Sequence, residues 1–140
     1  MAYAEKKTMT YIHRETFEIL DVNGEYPVVN KYFYVDELIA LPVQILNRKG
    51  YTTEGCCSGH LHFSTDIYDK PKDLLTYISF QNGITLPSLP PGFTWLRSRC
   101  IEYRYNIPYK YNAQAFYGLL RENLDAMEKL YNWALSLPDF

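Results

Sequence analysis

The chain has 140 residues, enough for one domain with a buried core, and its 47% hydrophobic and 21% charged residues are ordinary for a globular protein. A net charge of −2 excludes a global basic surface for nucleic acid, although a local basic patch is compatible with it. No apolar run reaches the length of a membrane span, and residues 1–9 lack the apolar segment of a secretory signal. We therefore expect a cytoplasmic protein. Three cysteines, an odd number with two of them adjacent, do not make a disulfide framework, so we expect reduced thiols.

Tyrosine is unusually frequent, with 14 among the 140 residues, and aromatic residues together make up 16% of the chain. A tyrosine ring can pack against a sheet while its hydroxyl reaches a partner. The tyrosines therefore indicate half-exposed sheet faces, and they are equally suited to a binding surface.

The first part of the chain is predicted to form strands after a loose, polar lead-in over residues 1–10. Alternation of apolar and polar residues over 16–22 predicts a strand. Asn23 and Gly24 then predict a tight turn, and residues 25–29 the second strand of a hairpin.

A helix is predicted over residues 36–49, because its apolar residues repeat at intervals of three and four. Asp36 is its expected N-cap, and Gly50 is the expected left-handed stop. Pro42 lacks a backbone donor and predicts either a kink or a short turn followed by a new helix.

The second half of the chain alternates predicted strands and turns. Residues 51–63 are predicted as extended chain with a glycine break, and residues 74–80 as a strand that ends in a turn at Asn82 and Gly83. Residues 95–105 are predicted as the longest strand.

The last predicted element is a long helix that Asn112 caps and that extends to about Ser136. The order of the elements predicts an α+β fold, in which about two helices pack on one face of a mainly antiparallel sheet. We expect a single domain over residues 1–140.

The stretch from Gly50 to His62 holds two of the three cysteines, two of the three histidines and three of the seven glycines. A bend at Ser58-Gly59 would aim backbone N–H groups and the Ser58 hydroxyl outward, which suits binding of a carboxylate or phosphate. His60 would add a proton donor or a positive charge near neutral pH. The alternative is a purely structural bulge with cysteines in small core gaps. The candidate ligand-binding residues of this loop are Ser58, Gly59 and His62.

Cys57 and His60 are the candidate catalytic residues, because a thiol beside a protonated histidine has a lowered pKa. Covalent catalysis also requires a base within hydrogen-bonding reach and a group that orients this base. The base would be His60 or His13. The candidate orienting groups are Glu54, Asp66 and Glu102. Since the sequence does not define these distances, whether the protein is an enzyme stays open.

Zinc is an alternative ligand of the same loop, since Cys56, Cys57, His60 and His62 offer four donors within seven residues. Their spacing differs from that of the usual structural zinc site, in which a longer loop separates two short clips. Adjacent cysteines on a strand also point to opposite faces. We therefore predict no metal ligands, and a small zinc-binding protein remains an alternative.

The only notable basic cluster lies in the strand predicted over 95–105, where Arg97, Arg99 and Arg104 alternate with aromatic residues. Arginine beside aromatic rings is suited to phosphates and stacked bases. The same pattern is typical of an exposed strand whose long side chains cover a neighbour. If this strand pairs beside the cysteine strand, Arg97 and Arg99 would face the same cleft as His60 and hold an anionic ligand there.

Several segments of the chain resemble a group of short, uncharacterised proteins of bacteria and phages. The similar segments are residues 46–53 (Leu-Asn-Arg-Lys-Gly-Tyr-Thr-Thr), 56–60 (Cys-Cys-Ser-Gly-His), 77–80 (Tyr-Ile-Ser-Phe) and 89–93 (Leu-Pro-Pro-Gly-Phe), and the resemblance covers roughly residues 36–99. It implies a bacterial or phage origin, and no catalytic residue comes with it.

Residues 46–59 are also similar to the tRNA-wybutosine methyltransferase family, in which a helix ending in Leu-Asn leads to a Thr-Thr-Ser-Ser-Cys-Ser-Gly-Arg segment at the active site. Here Cys57-Ser58-Gly59 matches Cys-Ser-Gly, and His60 stands in place of the arginine. The similarity implies that the loop faces a ligand. The longer remainder of that family has no clear counterpart in this chain, so methyl transfer is not carried over and the cofactor is unknown.

The sequence thus predicts binding, with or without chemical modification, of a small anionic or nucleotide-like ligand, RNA included, at residues 56–60. The alternative is a non-enzymatic interaction protein whose aromatic surface docks a partner or a second copy as a homo-oligomer.

Overall fold

The computed structural model describes residues 2–4, 9–20, 29–64, 71 and 73–140. These residues form β1 (Ala2–Ala4), β2 (Met9–His13), β3 (Ile19–Leu20), β4 (Tyr32–Asp36), α1 (Glu37–Arg48), β5 (Thr53–Cys57), β6 (His62–Ser64), β7 (Leu75–Phe80), β8 (Thr94–Arg97), β9 (Cys100–Arg104) and α2 (Ala113–Ser136). A short 3-10 turn over Val29–Lys31 precedes β4.

The described strands form antiparallel ladders of two, three and four strands. Their orders are β1-β6, β3-β2-β4 and β5-β7-β9-β8. Together with the two helices, these ladders confirm the predicted α+β class and the long C-terminal helix.

Strand β7 lies inside the four-stranded sheet and shows which face is buried. Its even-numbered residues Thr76, Ile78 and Phe80 are buried, whereas Leu75, Tyr77 and Ser79 are only partly covered. This alternation is expected where one face of an antiparallel sheet packs on the core. We call the face that carries Leu75, Tyr77 and Ser79 the outer face.

The two helices pack on each other and complete the core beneath the inner face of the sheet. Lys49, just after α1, joins their C-terminal ends, since its Nζ donates to the carbonyl oxygens of Ala134, Leu135 and Leu137 at 2.6–2.9 Å. A cation suits this position because the carbonyls at a helix C-terminus carry partial negative charge. Neither described helix combines the length and the apolar character that crossing a membrane requires.

Several local predictions are confirmed. Gly50 has a φ of +95° after α1, and Gly83 has a φ of +87° in the turn after β7. The Asn112 side chain accepts a hydrogen bond from the backbone N–H of Ala115 at 2.9 Å, which makes it the N-cap of α2.

Other local predictions are wrong. Residues 95–105 form two strands rather than one, because the chain turns at Ser98 and Arg99 between β8 and β9. Residues 2–4 and 9–10 of the predicted lead-in lie in strands β1 and β2.

The strand predicted over 16–22 begins later than expected, since a turn occupies residues 14–16 and β3 covers Ile19–Leu20, while residues 21 and 22 lie outside the described part of the chain. The predicted turn at Asn23 and Gly24 and residues 25–28 of the predicted hairpin lie outside the described residues. Helix α1 continues through Pro42 as one element, so of the two predicted alternatives the restart as a new helix is wrong and the kink stays a prediction.

Candidate functional site

Ser58 lies inside the protein, and not on the surface as its predicted role requires. Ser58 is 0% exposed to solvent, and both its backbone N–H and its hydroxyl donate to Oδ2 of Asp36, at 2.9 and 3.0 Å. These two donors cannot also hold an anion from solvent. The prediction that Ser58 cradles a ligand is therefore wrong, because a buried carboxylate already occupies its donors.

Asp36 takes a different role from the one its position predicts. It lies at the junction of β4 and α1, yet its side chain makes no capping hydrogen bond within the described residues of the helix. Its carboxylate binds Ser58 instead, the residue that follows β5. This contact holds the end of β4 next to the end of β5, so it joins the two ends of the β4-α1-β5 segment.

The carbonyl oxygen of Ser58 belongs to a closed ring of buried hydrogen bonds. It accepts from Thr76 Oγ1 and from Asn123 Nδ2, each at 2.7 Å. The Tyr105 hydroxyl lies 2.9 Å from Thr76 Oγ1 and accepts from Asn123 Nδ2 at 2.8 Å. Because the single hydroxyl hydrogen of Thr76 goes to Ser58, Tyr105 must donate to Thr76. Each hydrogen of this ring thus has one acceptor.

Replacing Tyr105 with phenylalanine is expected to lower the free energy of unfolding by about 2 kcal/mol. The reason is that the change removes the hydroxyl that accepts one buried N–H of Asn123. The aromatic ring of the side chain keeps its shape and volume. Urea denaturation measures the effect, and Tyr109→Phe, at an almost fully exposed tyrosine, is the matched control. Equal stability of the two variants would contradict the contribution of this ring of hydrogen bonds to stability.

Gly59 is explained by the same buried arrangement. Its φ is +109°, a backbone region that other residues rarely adopt. A Cβ at this position would lie 3.4 Å from Asn123 Nδ2. Its N–H donates to Cys57 Sγ at 3.4 Å. The glycine therefore allows the chain to turn over the ring, and its predicted part in an anion cradle has no geometric support.

The two adjacent cysteines differ in their surroundings. Cys56 packs against the core, and burial, the nearby Asp36 carboxylate and Cys57 together raise the pKa of its thiol to about 12. It is therefore a neutral thiol at physiological pH, which makes it a poor nucleophile. Cys57 is partly exposed and lies opposite Tyr77 of β7.

His60 does not share either described groove with the cysteines. His60 is exposed and lines neither of the grooves described below. His62 lies in β6 opposite Ala4, and its side chain is outside the described part of the structure. Among the described residues, no group of three or more histidine, cysteine or acidic side chains could hold a metal ion.

The other predicted catalytic partners that the structure describes are engaged elsewhere. Nδ1 of His13 accepts backbone N–H bonds from Glu15 and Thr16, at 3.1 and 3.2 Å, so it holds the β2–β3 loop. Glu54 pairs with Arg99 at 3.4 Å, and Glu102 pairs with Arg104 at 3.2 Å. Asp66 lies outside the described residues.

Arg97 and Arg99 do share a groove, although His60 is not part of it. The groove lies on the outer face of the four-stranded sheet and has a volume of about 510 Å³. We call it the arginine groove. Its lining is Leu75, Tyr77, Ser79, Leu96, Arg97, Ser98, Arg99 and Cys100.

A second groove, of about 610 Å³, lies between the three-stranded and four-stranded sheets. We call it the tyrosine groove. Its lining includes Arg14, Phe17, Tyr32, Phe33, Tyr34, Glu54, Gly55, Cys56 and Tyr77. Tyr77 lines both grooves, so the two grooves adjoin at this residue.

The tyrosine groove was not predicted. The aromatic run over residues 32–34 and the nearby Arg14 were visible as residue types. Their meeting with residues 54–56 depends on how two separate sheets pack, and no local pattern encodes this.

The fold and these surfaces define an α+β protein with two adjoining open grooves on its sheets. Comparison of the chain with models of protein families, with curated proteins and with solved structures gives no match in any of the three. The resemblances drawn from the sequence therefore stay expectations, and function has to be inferred from the geometry.

Proposed function

We propose that the protein binds a small anionic, nucleotide-like ligand in the arginine groove. The observation that carries this proposal is that Arg97, Arg99 and Tyr77 line one groove of about 510 Å³. This volume is within the range of about 300–1,000 Å³ that small-molecule sites occupy. We also propose a cytoplasmic location, which the odd cysteine count supports.

The side chains of the groove suit the two parts of a nucleotide. Guanidinium groups form paired hydrogen bonds with phosphate oxygens, and a tyrosine ring offers a stacking surface for a base. Burial, and to a lesser extent the neighbouring cysteines, raises the pKa of Tyr77. Its hydroxyl therefore stays protonated and can donate to the ligand.

Cys100 also lines the groove, and its thiol is a poor nucleophile at neutral pH. Burial raises the pKa of its thiol, although the positive charge of Arg97 partly opposes this. The thiol is then a neutral wall of the groove. We accordingly assign binding to this groove and no bond-making step.

The test is calorimetric titration with uridine and adenosine monophosphates, with inorganic phosphate and the free nucleosides as ligand controls. The double change Arg97→Gln, Arg99→Gln should weaken nucleotide binding at least tenfold, because it removes the charged donors to phosphate. Arg121→Gln is the matched control, since Arg121 is an exposed arginine on α2, away from both grooves.

Two results would overturn the proposal. The first is equal binding by the double variant and Arg121→Gln. The second is that His60→Ala loses binding while the arginine variants keep it, which would place the site at residues 56–60. Thermal melting of each variant checks that the fold is intact.

A second candidate is an interaction protein, which the exposure of large aromatic side chains favours. Tyr34 is 67% exposed, Tyr109 is 97% exposed and Trp95 is 46% exposed. Such rings are common at protein interfaces. Sedimentation velocity across a range of concentrations tests for a homo-oligomer. Association that Tyr34→Ser or Trp95→Ser abolishes would support this candidate.

A further inference from the structure

We infer that the ligand is an extended single-stranded nucleic acid that occupies both grooves and passes over Tyr77. This inference rests on the proposed function and goes beyond it, because it adds a second binding surface and a polymeric ligand. It follows from three features of the described residues: continuity of the grooves, their charge, and their aromatic lining.

The first feature is continuity. Tyr77 lies on the outer face of β7, opposite Cys57 of β5 on one side and Glu102 of β9 on the other. The arginine groove extends from Tyr77 toward the β8–β9 turn, and the tyrosine groove extends from it toward β4. Each groove has the volume of one small-molecule site. A ligand that fills both must therefore be longer than a single nucleotide.

The second feature is charge. Among the described residues that line the two grooves, the charged ones are Arg14, Arg97 and Arg99 against the carboxylate of Glu54. The local balance is positive, although the whole chain has a net charge of −2. Glu54 is moreover paired with Arg99 at 3.4 Å. Arginines at both ends of a continuous surface match a phosphate backbone that runs between them.

The third feature is the aromatic lining of the tyrosine groove. Tyr34 meets Tyr11 edge-on, with ring centroids 6.4 Å apart, and Tyr32 meets His13 edge-on at 5.1 Å. Tyr34 is 67% exposed in this arrangement. Rings that are supported along one edge keep a face available for a stacked base.

The loop that carries Arg14 is built into the wall of the tyrosine groove. The Arg14 guanidinium lies 5.8 Å from the centroid of the Phe33 ring, and its backbone N–H donates to Lys31 at 2.8 Å. Phe17 has a φ of +59°, which a non-glycine residue adopts at some energetic cost. The loop is held in this conformation by Gln44, whose side chain donates to the Phe17 carbonyl at 2.9 Å. Arg14 is therefore presented from a fixed loop.

The experiment is competition for a fluorescently labelled octanucleotide, followed by anisotropy. Unlabelled competitors are one to six nucleotides long, as oligouridylate and as oligodeoxyuridylate, which share base and phosphate and differ only in the 2′-hydroxyl. Affinity should rise at least tenfold between one and three or four nucleotides and then level off, because the second groove is filled by a tethered group. Tighter binding in either series supports the inference and identifies the preferred sugar.

Two arginine variants separate the grooves. Arg97→Gln should weaken both the mononucleotide and the longer strands. Arg14→Gln should weaken only the longer strands, by about tenfold. It should also make the negative slope of log K against log salt concentration less steep by about 0.7, the contribution of one phosphate contact with a single strand. Arg121→Gln is again the matched control and should change neither affinity nor slope.

The outcomes distinguish this inference from the proposed function. If mononucleotide binding depends on Arg97 but affinity does not rise with length, the inference is wrong and the proposed function stands. If Arg14→Gln behaves like Arg121→Gln on every length, the tyrosine groove is not used and the inference is also wrong. If no nucleotide of any length binds, both are wrong. Occupation of the tyrosine groove by a protein partner would then be the explanation for its exposed rings.

Discussion

Replacing Asp36 with alanine is expected to lower the free energy of unfolding by about 3 kcal/mol, because it leaves two fully buried donors without an acceptor. Both donors belong to Ser58, at 2.9 and 3.0 Å from the Asp36 carboxylate. Hydrogen bonds to a buried charge contribute more than neutral ones. The change also separates the ends of β4 and β5, so it acts on the tertiary fold and on the wall of the tyrosine groove together.

Urea denaturation measures this loss, and two variants provide controls. Asp36→Asn keeps an oxygen that can accept both hydrogen bonds, and we expect it to lose only about 1 kcal/mol. Glu37→Ala removes the next, exposed carboxylate and should change stability by less than about 0.5 kcal/mol. A loss in Asp36→Ala no larger than that in Glu37→Ala would contradict the role of the carboxylate.

Hydrogen exchange adds a local measurement to the same variant. The backbone N–H of Ser58 is protected by its bond to Asp36 in the native protein. In Asp36→Ala this amide should exchange faster relative to the amides of β7, which keep their sheet partners. Uniform acceleration across both sites would instead indicate global destabilisation alone.

The Cys56 thiol is expected to react with iodoacetamide about a thousandfold more slowly than an ordinary thiol at pH 8. The thiolate is the reactive form, and a rise in pKa from 9.0 to about 12 lowers its population by this factor. The labelling rate should rise about tenfold per pH unit from 7 to 9 without levelling off. An ordinary thiol would already begin to level off near pH 9.

The measurement uses a variant in which Cys56 is the sole cysteine, Cys57→Ser with Cys100→Ser, followed by intact mass spectrometry. This variant keeps burial and the Asp36 carboxylate, the two larger causes of the raised pKa. The same variant unfolded in urea is the control, because the thiol then recovers its ordinary pKa and labels quickly. Fast labelling of the folded variant would show that Cys56 is not held in the core. Since the unfolded chain releases this proton above pH 9 and the folded chain does not, stability should also fall as pH rises from 9 to 12.

The helices illustrate what a local pattern can predict. The Asn112 cap and the apolar repeat located α2, and the same repeat with Gly50 located α1. These signals act over three or four residues, so the fold does not need to be known. The turn at Ser98 and Arg99 was missed because neither residue is a strong turn signal, and cross-strand pairing imposes it.

The orientation of Ser58 shows the limit of such patterns. Glycines on both sides predicted a bend, and the bend at Gly59 is present with a φ of +109°. Which way the bend faces was decided by Asp36 and Asn123, 22 and 65 residues away along the chain. A buried carboxylate and a buried amide need hydrogen-bond partners, and the Ser58 backbone and hydroxyl supply them.

The sequence by itself determined the α+β class, the two helices and the turns that end α1 and β7, because side-chain periodicity, caps and glycine turns are local properties of the chain. Only the tertiary structure decided that Ser58 faces inward, that Arg97 and Arg99 meet Tyr77 rather than His60, and that Arg14 faces the same surface from another sheet. The physical reason is that strand pairing and helix packing set distances between residues far apart in sequence, and these distances determine which side chains are buried and which can reach a ligand.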